Sequence, residues 1–109
     1  VILVMDEKSL DDFENSVKKG AYLVVNSSMI KKEVQRQDIN VIKAPMNDIA
    51  EDMSNPKSAN IVALGTVLKL IDSVSYDEIS RHLEDTFKGS AVEANKEALQ
   101  LGYDFVKVK

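Results

Sequence analysis

The chain has 109 residues, of which 44% are hydrophobic and 29% charged, with a formal net charge of −4. This length and composition are typical of one globular domain built around a single hydrophobic core. The acidic balance disfavours nucleic acid as the main partner, because phosphate backbones repel negative charge. No apolar run reaches the length of a membrane span, and the start shows no secretory signal pattern. We therefore expect a single domain over residues 1–109 of a cytoplasmic protein that binds neither nucleic acid nor membrane.

Cysteine is absent, and His82 is the only histidine. Iron–sulfur clusters are held mainly by cysteine thiolates, and disulfides and cysteine nucleophiles need the same residue. Structural zinc sites draw on cysteine and histidine. The composition therefore argues against each of these sites, and the chain is predicted to hold no metal and no redox centre of its own.

Two apolar strands and a helix are predicted at the start of the chain. Residues 1–5 are apolar throughout, as in strands covered on both faces. Ser9 is a candidate N-cap for the helix that follows, and Gly20 can adopt the left-handed conformation that ends a helix. Residues 21–25 form a second apolar run, so the order strand, helix, strand predicts a βαβ unit. One helical face in this unit is apolar and is expected to point inward: Leu10, Phe13 and Val17.

The next segment combines a polar loop with a third strand. Residues 26–38 are polar and weakly periodic, which favours a long loop with at most one helical turn. Residues 39–44 are predicted to form a strand closed by Pro45, and residues 47–53 a short helix. The chain also enters its first strand with no initiator methionine before it. We expect that an upstream segment is missing and would add strands to a small sheet.

The second half of the sequence is predicted to be helical. Asn55 and Pro56 are a favourable N-cap and first-turn pair for a helix that runs to about residue 71. Ser75 and Glu78 have the spacing of a capping box, which starts another helix.

A last helix is predicted over residues 92–101, with Gly102 as its stop. In the helix before residue 71, Ala63 and Gly65 are small enough to let another element approach closely. These elements define an α/β fold class. We expect a small, mostly parallel sheet with flanking helices and a helical C-terminal half, lacking the N-terminal part of the domain.

Polar side chains follow two of the predicted strands. Asn26, Ser27 and Ser28 come directly after the second strand, and Asp6 follows the first. Ligands gather at the carboxyl ends of strands in open α/β sheets, so the tripeptide is a candidate site. The alternative is a polar turn without a ligand, which these residue types also favour. The four glycines are far apart, so the sequence contains no glycine-rich phosphate loop.

One segment carries a family resemblance. Residues 55–65 resemble the asparagine–proline–basic–x–alanine–asparagine segment of gamma subunits of 2-oxoacid:ferredoxin oxidoreductases. The matching residues are Asn55, Pro56, Lys57, Ala59 and Asn60. Residues 20–28 resemble the family's glycine, apolar strand and asparagine–serine–serine, and residues 95–103 resemble its closing asparagine–x–x–alanine helix. Two departures stand beside these matches: Asp6 lies where the family often has asparagine, and the family's N-terminal part, with its glycine-rich turn, is outside this sequence.

The resemblance implies a function and a distribution of the cofactors among the subunits. Enzymes of this family oxidatively decarboxylate a 2-oxoacid, transfer the acyl group to coenzyme A and pass electrons to ferredoxin. The gamma component is then non-catalytic, and thiamine diphosphate, magnesium and 4Fe-4S clusters are expected on partner subunits: alpha, beta and, as a further candidate, delta. The residues implied as contacts to coenzyme A or to other subunits are Asn26, Ser27, Ser28, Asn55 and Asn60. Asn60, near a helix start, has the alternative of a purely local hydrogen bond. The 2-oxoacid itself stays open.

A second hypothesis is a stand-alone α/β interaction or regulatory module of flavodoxin-like or receiver-like shape. It is motivated by Asp6 after one strand and Ser27 after the next. A receiver needs an acidic cluster around magnesium and a lysine from a late strand, and the sequence shows neither a phosphoacceptor strand nor such a lysine. The first hypothesis makes a structural prediction of its own, an exposed apolar surface near residues 1–5 where further chain or a partner would pack.

Overall fold

The computed structural model describes residues 1–71 and 73–107. Within these ranges the chain forms three strands and five α-helices. In chain order they are β1 (Ile2–Val4), α1 (Glu7–Phe13), β2 (Tyr22–Asn26), β3 (Asn40–Ala44), α2 (Met46–Asp52), α3 (Ala59–Leu70), α4 (Tyr76–Thr86) and α5 (Ser90–Phe105). Two short 3-10 turns, Glu14–Ser16 and Pro56–Ser58, follow α1 and precede α3. The predicted α/β class, with a helical second half, is confirmed.

The three strands form one parallel sheet in the order β1-β2-β3. Val24 at the centre of β2 pairs with Leu3 on one side and with Ile42 on the other. Strand β2 is central, and its residues 23–26 are all buried, whereas β1 and β3 lie at the edges. The central strand is therefore the element around which the two faces of the fold are arranged.

Successive side chains of β2 point to opposite faces of the sheet. Leu23 and Val25 pack in one cluster with Leu10 of α1 and with Ile30 of the loop after β2. Val24 points the other way, into a second cluster whose further buried members are Ala44, Met46, Val62, Ala63 and Ala98. Helix α1 and the loop thus cover one face, and α2, α3 and α5 cover the other.

Helix α4 packs outside this second layer. Leu83 of α4 is buried against Leu68 of α3 and Leu99 of α5. The capping box predicted at its start is confirmed: the Ser75 hydroxyl accepts a hydrogen bond from the Glu78 backbone at 3.1 Å, and the Glu78 carboxylate accepts one from the Ser75 backbone at 3.2 Å. The capping box therefore marks the start of α4, as the sequence predicts. Leu83 lies on the face that α4 buries.

The closest helix contact joins α3 and α5 through two glycines. A Cβ atom on Gly65 would lie 2.8 Å from the backbone nitrogen of Tyr103, and one on Gly102 would lie 2.9 Å from the carbonyl carbon of Val62. The close approach predicted for Gly65 is confirmed. The prediction that Gly102 ends the last helix is wrong, since α5 continues through it to Phe105. At Gly102 the missing side chain lets α3 and α5 pack closely. It does not serve to end the helix in a left-handed conformation.

Helix α1 departs from the sequence prediction in two ways. Its N-cap is Asp6, whose carboxylate accepts from the Ser9 backbone at 2.9 Å, so Ser9 lies in the first turn instead of capping it. Leu10 and Val17 are buried as expected, but Phe13 is 48% exposed. The α-helix ends at Phe13, so the predicted stripe does not continue on one helical face to Val17, which follows the 3-10 turn.

Candidate functional site

Asn26, the last residue of the central strand, is almost fully buried, with 1% of its surface exposed. Its carboxamide nitrogen donates to the side-chain oxygen of Asn47 at 2.7 Å and to the Met5 carbonyl at 3.5 Å. Its carboxamide oxygen accepts from the backbone nitrogens of Met46 at 3.1 Å and Ser28 at 3.2 Å. Asn26 therefore links the residues that follow all three strands, and both ends of its carboxamide are engaged by the protein.

The two serines after Asn26 lie at the same edge and are half-buried. The Ser28 hydroxyl accepts from the backbone nitrogen of Asp48 at 3.0 Å, and the Ser27 backbone donates to the Ala44 carbonyl at 2.9 Å. Pro45, at the N-cap position of α2, makes no side-chain cap. Asn26 and Ser28 supply that cap from a neighbouring strand, because they accept from two of the helix's first backbone N–H groups.

A second polar group joins the start of α3 to α5. The Asn55 carboxamide donates to the Ser58 hydroxyl at 2.7 Å, and that hydroxyl donates to the Asn95 carboxamide oxygen at 3.0 Å. Ser58 and Asn95 are both buried. The side chain of Asn55 was predicted to cap the helix directly, and that prediction is wrong. The Pro56–Ser58 turn separates Asn55 from α3, so its amide bonds a side chain and not the helix backbone.

A pocket of about 370 Å³ with both polar and apolar walls opens over this group. Its lining residues are Asn55, Lys57, Ser58, Asn60, Ile61, Phe87, Ala91 and Asn95. The asparagines and Ser58 provide hydrogen-bonding groups, Lys57 provides the charge, and Phe87 with Ile61 provides an apolar wall. The predicted site residues Asn55 and Asn60 are therefore brought together in one pocket.

Ser58 and Asn95 belong to this pocket, although the sequence pattern did not single them out as site residues. Asn95 shares the buried stripe of α5 with Ala98, Leu99 and Gly102. A polar residue in an otherwise apolar helical stripe is the signal that points to such a position, since buried amides need partners.

The predicted site residues do not converge on a single cavity. None of Asn26, Ser27 and Ser28 lines the pocket over Asn95. Asn60 also borders a second, apolar groove of about 470 Å³ beside the edge strand β1, together with Val1, Leu3, Met5, Ala63, Leu64 and Val67. The apolar surface predicted near residues 1–5 is present there, and Val1 at its margin is 48% exposed.

The charged residues near the strand ends have structural partners. The pKa of Asp6 is lowered by hydrogen bonds from Ser9, chiefly from its backbone N–H group, which fits its role as the cap of α1. Within the described ranges no three histidine or carboxylate side chains are grouped so that they could hold a metal ion. No helix in that part of the chain is long and apolar enough to cross a membrane. The stand-alone module hypothesis gains no support from these residues.

The chain belongs to the pyruvate ferredoxin/flavodoxin oxidoreductase family, whose family model matches residues 1–105. A curated relative is 2-oxoglutarate synthase subunit KorC of Methanocaldococcus jannaschii, which is 25% identical over 109 residues. That match covers 98% of this chain and 58% of the relative.

Two solved structures share the fold. The gamma subunit of keto/oxoacid ferredoxin oxidoreductase from Geobacter sulfurreducens superposes with a TM-score of 0.86 at 25% identity, over 94% of this chain and 61% of that subunit. The 2-oxoglutarate:ferredoxin oxidoreductase of Magnetococcus marinus, solved with 2-oxoglutarate, coenzyme A and succinyl-CoA bound, gives a TM-score of 0.82 at 21% identity, over 94% of this chain and 19% of that one. The chain thus spans about three-fifths of the length of the subunits it matches.

Proposed function

We propose that this chain is part of the non-catalytic gamma component of a 2-oxoacid:ferredoxin oxidoreductase. Such a complex oxidatively decarboxylates a 2-oxoacid to an acyl-CoA and reduces ferredoxin. The observation that carries the proposal is the family match over residues 1–105, supported by the superposition on a gamma subunit with a TM-score of 0.86. In this proposal residues 1–109 act as one domain of a larger cytoplasmic assembly, and the isolated chain is inactive.

The redox and decarboxylation cofactors are assigned to partner subunits. A 4Fe-4S cluster is held mainly by cysteine thiolates, and this chain has no cysteine, so its residues do not fit a cluster of that kind. We assign thiamine diphosphate with its magnesium ion, and the clusters, to the alpha and beta subunits, with delta as a further candidate. Ferredoxin then meets the complex through those partners. Since the curated relative is named for 2-oxoglutarate, that acid is the first substrate to test.

Within this component we propose that the pocket over Asn95 contacts coenzyme A. Coenzyme A carries amides, hydroxyls and phosphates, and the pocket offers amide groups, the ammonium group of Lys57 and the aromatic wall of Phe87. Lys57 and Asn60 are exposed at its rim, where they are accessible to a ligand. The strand-end group of Asn26, Ser27 and Ser28 is proposed to position the neighbouring helix α2, with Ser27 and Ser28 as contacts to another subunit.

Reconstitution tests the proposed function. The partner subunits are assayed anaerobically for ferredoxin reduction that depends on 2-oxoacid and coenzyme A, with and without this component. We expect activity only when the component is added to the partner subunits, and none from the component by itself. Full activity of the partner subunits without it would contradict the proposal.

A further inference from the structure

Two exposed apolar side chains lie one helical turn apart on α5. Among the described residues, five large hydrophobic side chains are exposed, and only Leu101 and Phe105 share a helix face. Residues four positions apart on a helix stand side by side, so these two form a short apolar ridge. Leu101 is 37% exposed and Phe105 is 40% exposed. Packing within this domain therefore leaves more than a third of each side chain exposed.

The neighbouring helix α2 presents a matching ridge. Ile49 of α2 and Met53, the C-cap residue of that helix, are also four residues apart, and both are half-buried. The groove between the ridges consists of two adjoining cavities, about 620 Å³ and about 270 Å³, which share Ile49 and Leu101 in their walls. Two apolar ridges with a groove between them have the shape that receives a third helix.

The rim of this groove is acidic. The charged residues in its walls are Asp52, Glu97 and Asp104, against one lysine, Lys107. The five ion pairs found in the described part of the chain use other carboxylates, and Asp104 accepts a hydrogen bond only from the neutral amide of Gln100. The groove thus combines an apolar floor with a net negative charge at its edge.

We propose that this groove docks an amphipathic helix of a partner subunit, whose apolar side chains are flanked by lysine or arginine. The inference rests on the proposed function, because the partner is a subunit of the same oxidoreductase complex. The apolar side chains of the helix fill the space between Ile49, Leu101 and Phe105. Its basic side chains meet Asp52, Glu97 and Asp104, which gives the contact its orientation.

The acidic rim also argues against two other occupants of the groove. A second copy of the chain would bring its own acidic rim and a net charge of −4 to the contact, so like charges would face each other. A membrane surface rich in anionic lipid would be repelled by the same three carboxylates. A basic amphipathic helix is the occupant that satisfies both the apolar floor and the charge.

Site-specific photo-cross-linking in the native complex tests this inference. The substitution Phe105→p-benzoylphenylalanine is introduced into the chain as its host makes it, and Phe13→p-benzoylphenylalanine on the opposite face of the sheet is the control. We expect the probe at position 105 to cross-link to a helical segment of a co-purifying subunit that carries lysine or arginine beside apolar residues. Cross-links to a second copy, to the same polypeptide or to lipid would overturn the proposal.

Two variants give an independent measurement. Leu101→Ser with Phe105→Ser removes the ridge, and Asp52→Lys with Glu97→Lys and Asp104→Lys reverses the rim. The apolar and charge controls are Phe13→Ser and Asp85→Lys, and circular dichroism verifies that each variant folds. We expect each test variant to weaken association with the partner by about tenfold or more, while the controls leave it unchanged. Unchanged association in both test variants would overturn the proposal.

The outcome also distinguishes this inference from the proposed function. An intact complex in which position 105 forms no cross-link to a partner subunit would remove the docking groove and leave the proposed function standing. If the unmodified protein fails to associate with any oxidoreductase subunit, the proposed function fails first, and this docking proposal with it.

Discussion

The carboxamide nitrogen of Asn26 lies 2.7 Å from the carboxamide oxygen of Asn47, so the last residue of the central strand is hydrogen-bonded to the first turn of α2. The two residues are 21 positions apart in the chain. Because Pro45 makes no side-chain cap, the Asn26 oxygen and the Ser28 hydroxyl replace a local cap by accepting from the backbone N–H groups of Met46 and Asp48. The carboxyl edge of the sheet is thereby built as one hydrogen-bonded unit.

Replacing Asn26 by alanine should destabilise the protein. The substitution removes the acceptor of the Met46 and Ser28 backbone N–H groups, and a buried unsatisfied group costs about 1–3 kcal/mol. We expect the free energy of unfolding in urea to fall by about 2–3 kcal/mol. The matched control is Ser27→Ala, whose hydroxyl makes no hydrogen bond among the described residues and whose effect should stay within about 0.5 kcal/mol. Equal losses in the two variants would contradict the role assigned to Asn26.

Gly102→Ala should be destabilising although it lies inside a helix. Alanine in a helix interior is normally favoured over glycine by about 1 kcal/mol. Here the added Cβ would lie 2.9 Å from the backbone carbon of Val62, so α3 and α5 must move apart. We expect thermal or urea unfolding to show a net loss of about 2–3 kcal/mol. A more stable Gly102→Ala variant would show that the helices do not pack this closely.

The capping box of α4 predicts a pH dependence. The pKa of Glu78 is lowered from its ordinary value of 4.5, chiefly by the hydrogen bond from the Ser75 backbone N–H group and then by the Ser75 side chain. A carboxyl group whose pKa is lowered on folding stabilises the folded state fully above its unfolded pKa, and this contribution is lost as the pH falls through the folded pKa.

We therefore expect Glu78→Gln to have a lower melting temperature than the wild type at about pH 7, with the difference shrinking steadily below about pH 4.5. Differential scanning calorimetry across this range measures the effect. Glu93→Gln, on an exposed carboxylate of α5, serves as the control and should show a smaller change. A wild-type advantage that grows on acidification would contradict a lowered pKa for Glu78 in the folded protein.

Asn55 and Asn60 line the same pocket but should behave differently. Asn60 is exposed and makes no hydrogen bond within the described residues, so Asn60→Ala should leave stability within about 0.5 kcal/mol. If the pocket contacts coenzyme A, Asn60→Ala raises KM for coenzyme A in the complex by about 3- to 10-fold, the effect of one lost hydrogen bond. Asn55→Ala also removes the bond to Ser58 and should lower stability by about 1 kcal/mol. Asn15→Ala, on the other face of the sheet, is the control for both variants. An unchanged KM for coenzyme A in Asn60→Ala would contradict the proposed contact between the pocket and coenzyme A.

Local sequence signals predict the elements of this fold well. Apolar runs locate all three strands to within about two residues, an ordinary uncertainty for element boundaries. The capping box locates the start of α4, because Ser75 and Glu78 interact across one turn. Such features depend on residues that are neighbours in the chain, so their physical cause is present in the sequence itself.

The predictions that were wrong or missing concern residues whose role is set by contacts with residues distant in the chain. Gly102 has the residue type of a helix stop, but its role depends on Val62, 40 positions away by residue number, which no local pattern reveals. The position of Asn26 at a strand end is predictable, whereas its bond to Asn47 requires the register of β2 and β3. Asn95 was missed for the same reason, because its partner Ser58 lies on another element.

The most direct test of the proposed function is anaerobic affinity purification of the tagged protein from its native host, followed by mass spectrometry of the co-purifying chains. The proposal predicts recovery of subunits that carry thiamine diphosphate and iron–sulfur clusters, together with ferredoxin reduction that depends on a 2-oxoacid and coenzyme A. Recovery of a homogeneous protein with none of these subunits and no such activity would contradict it.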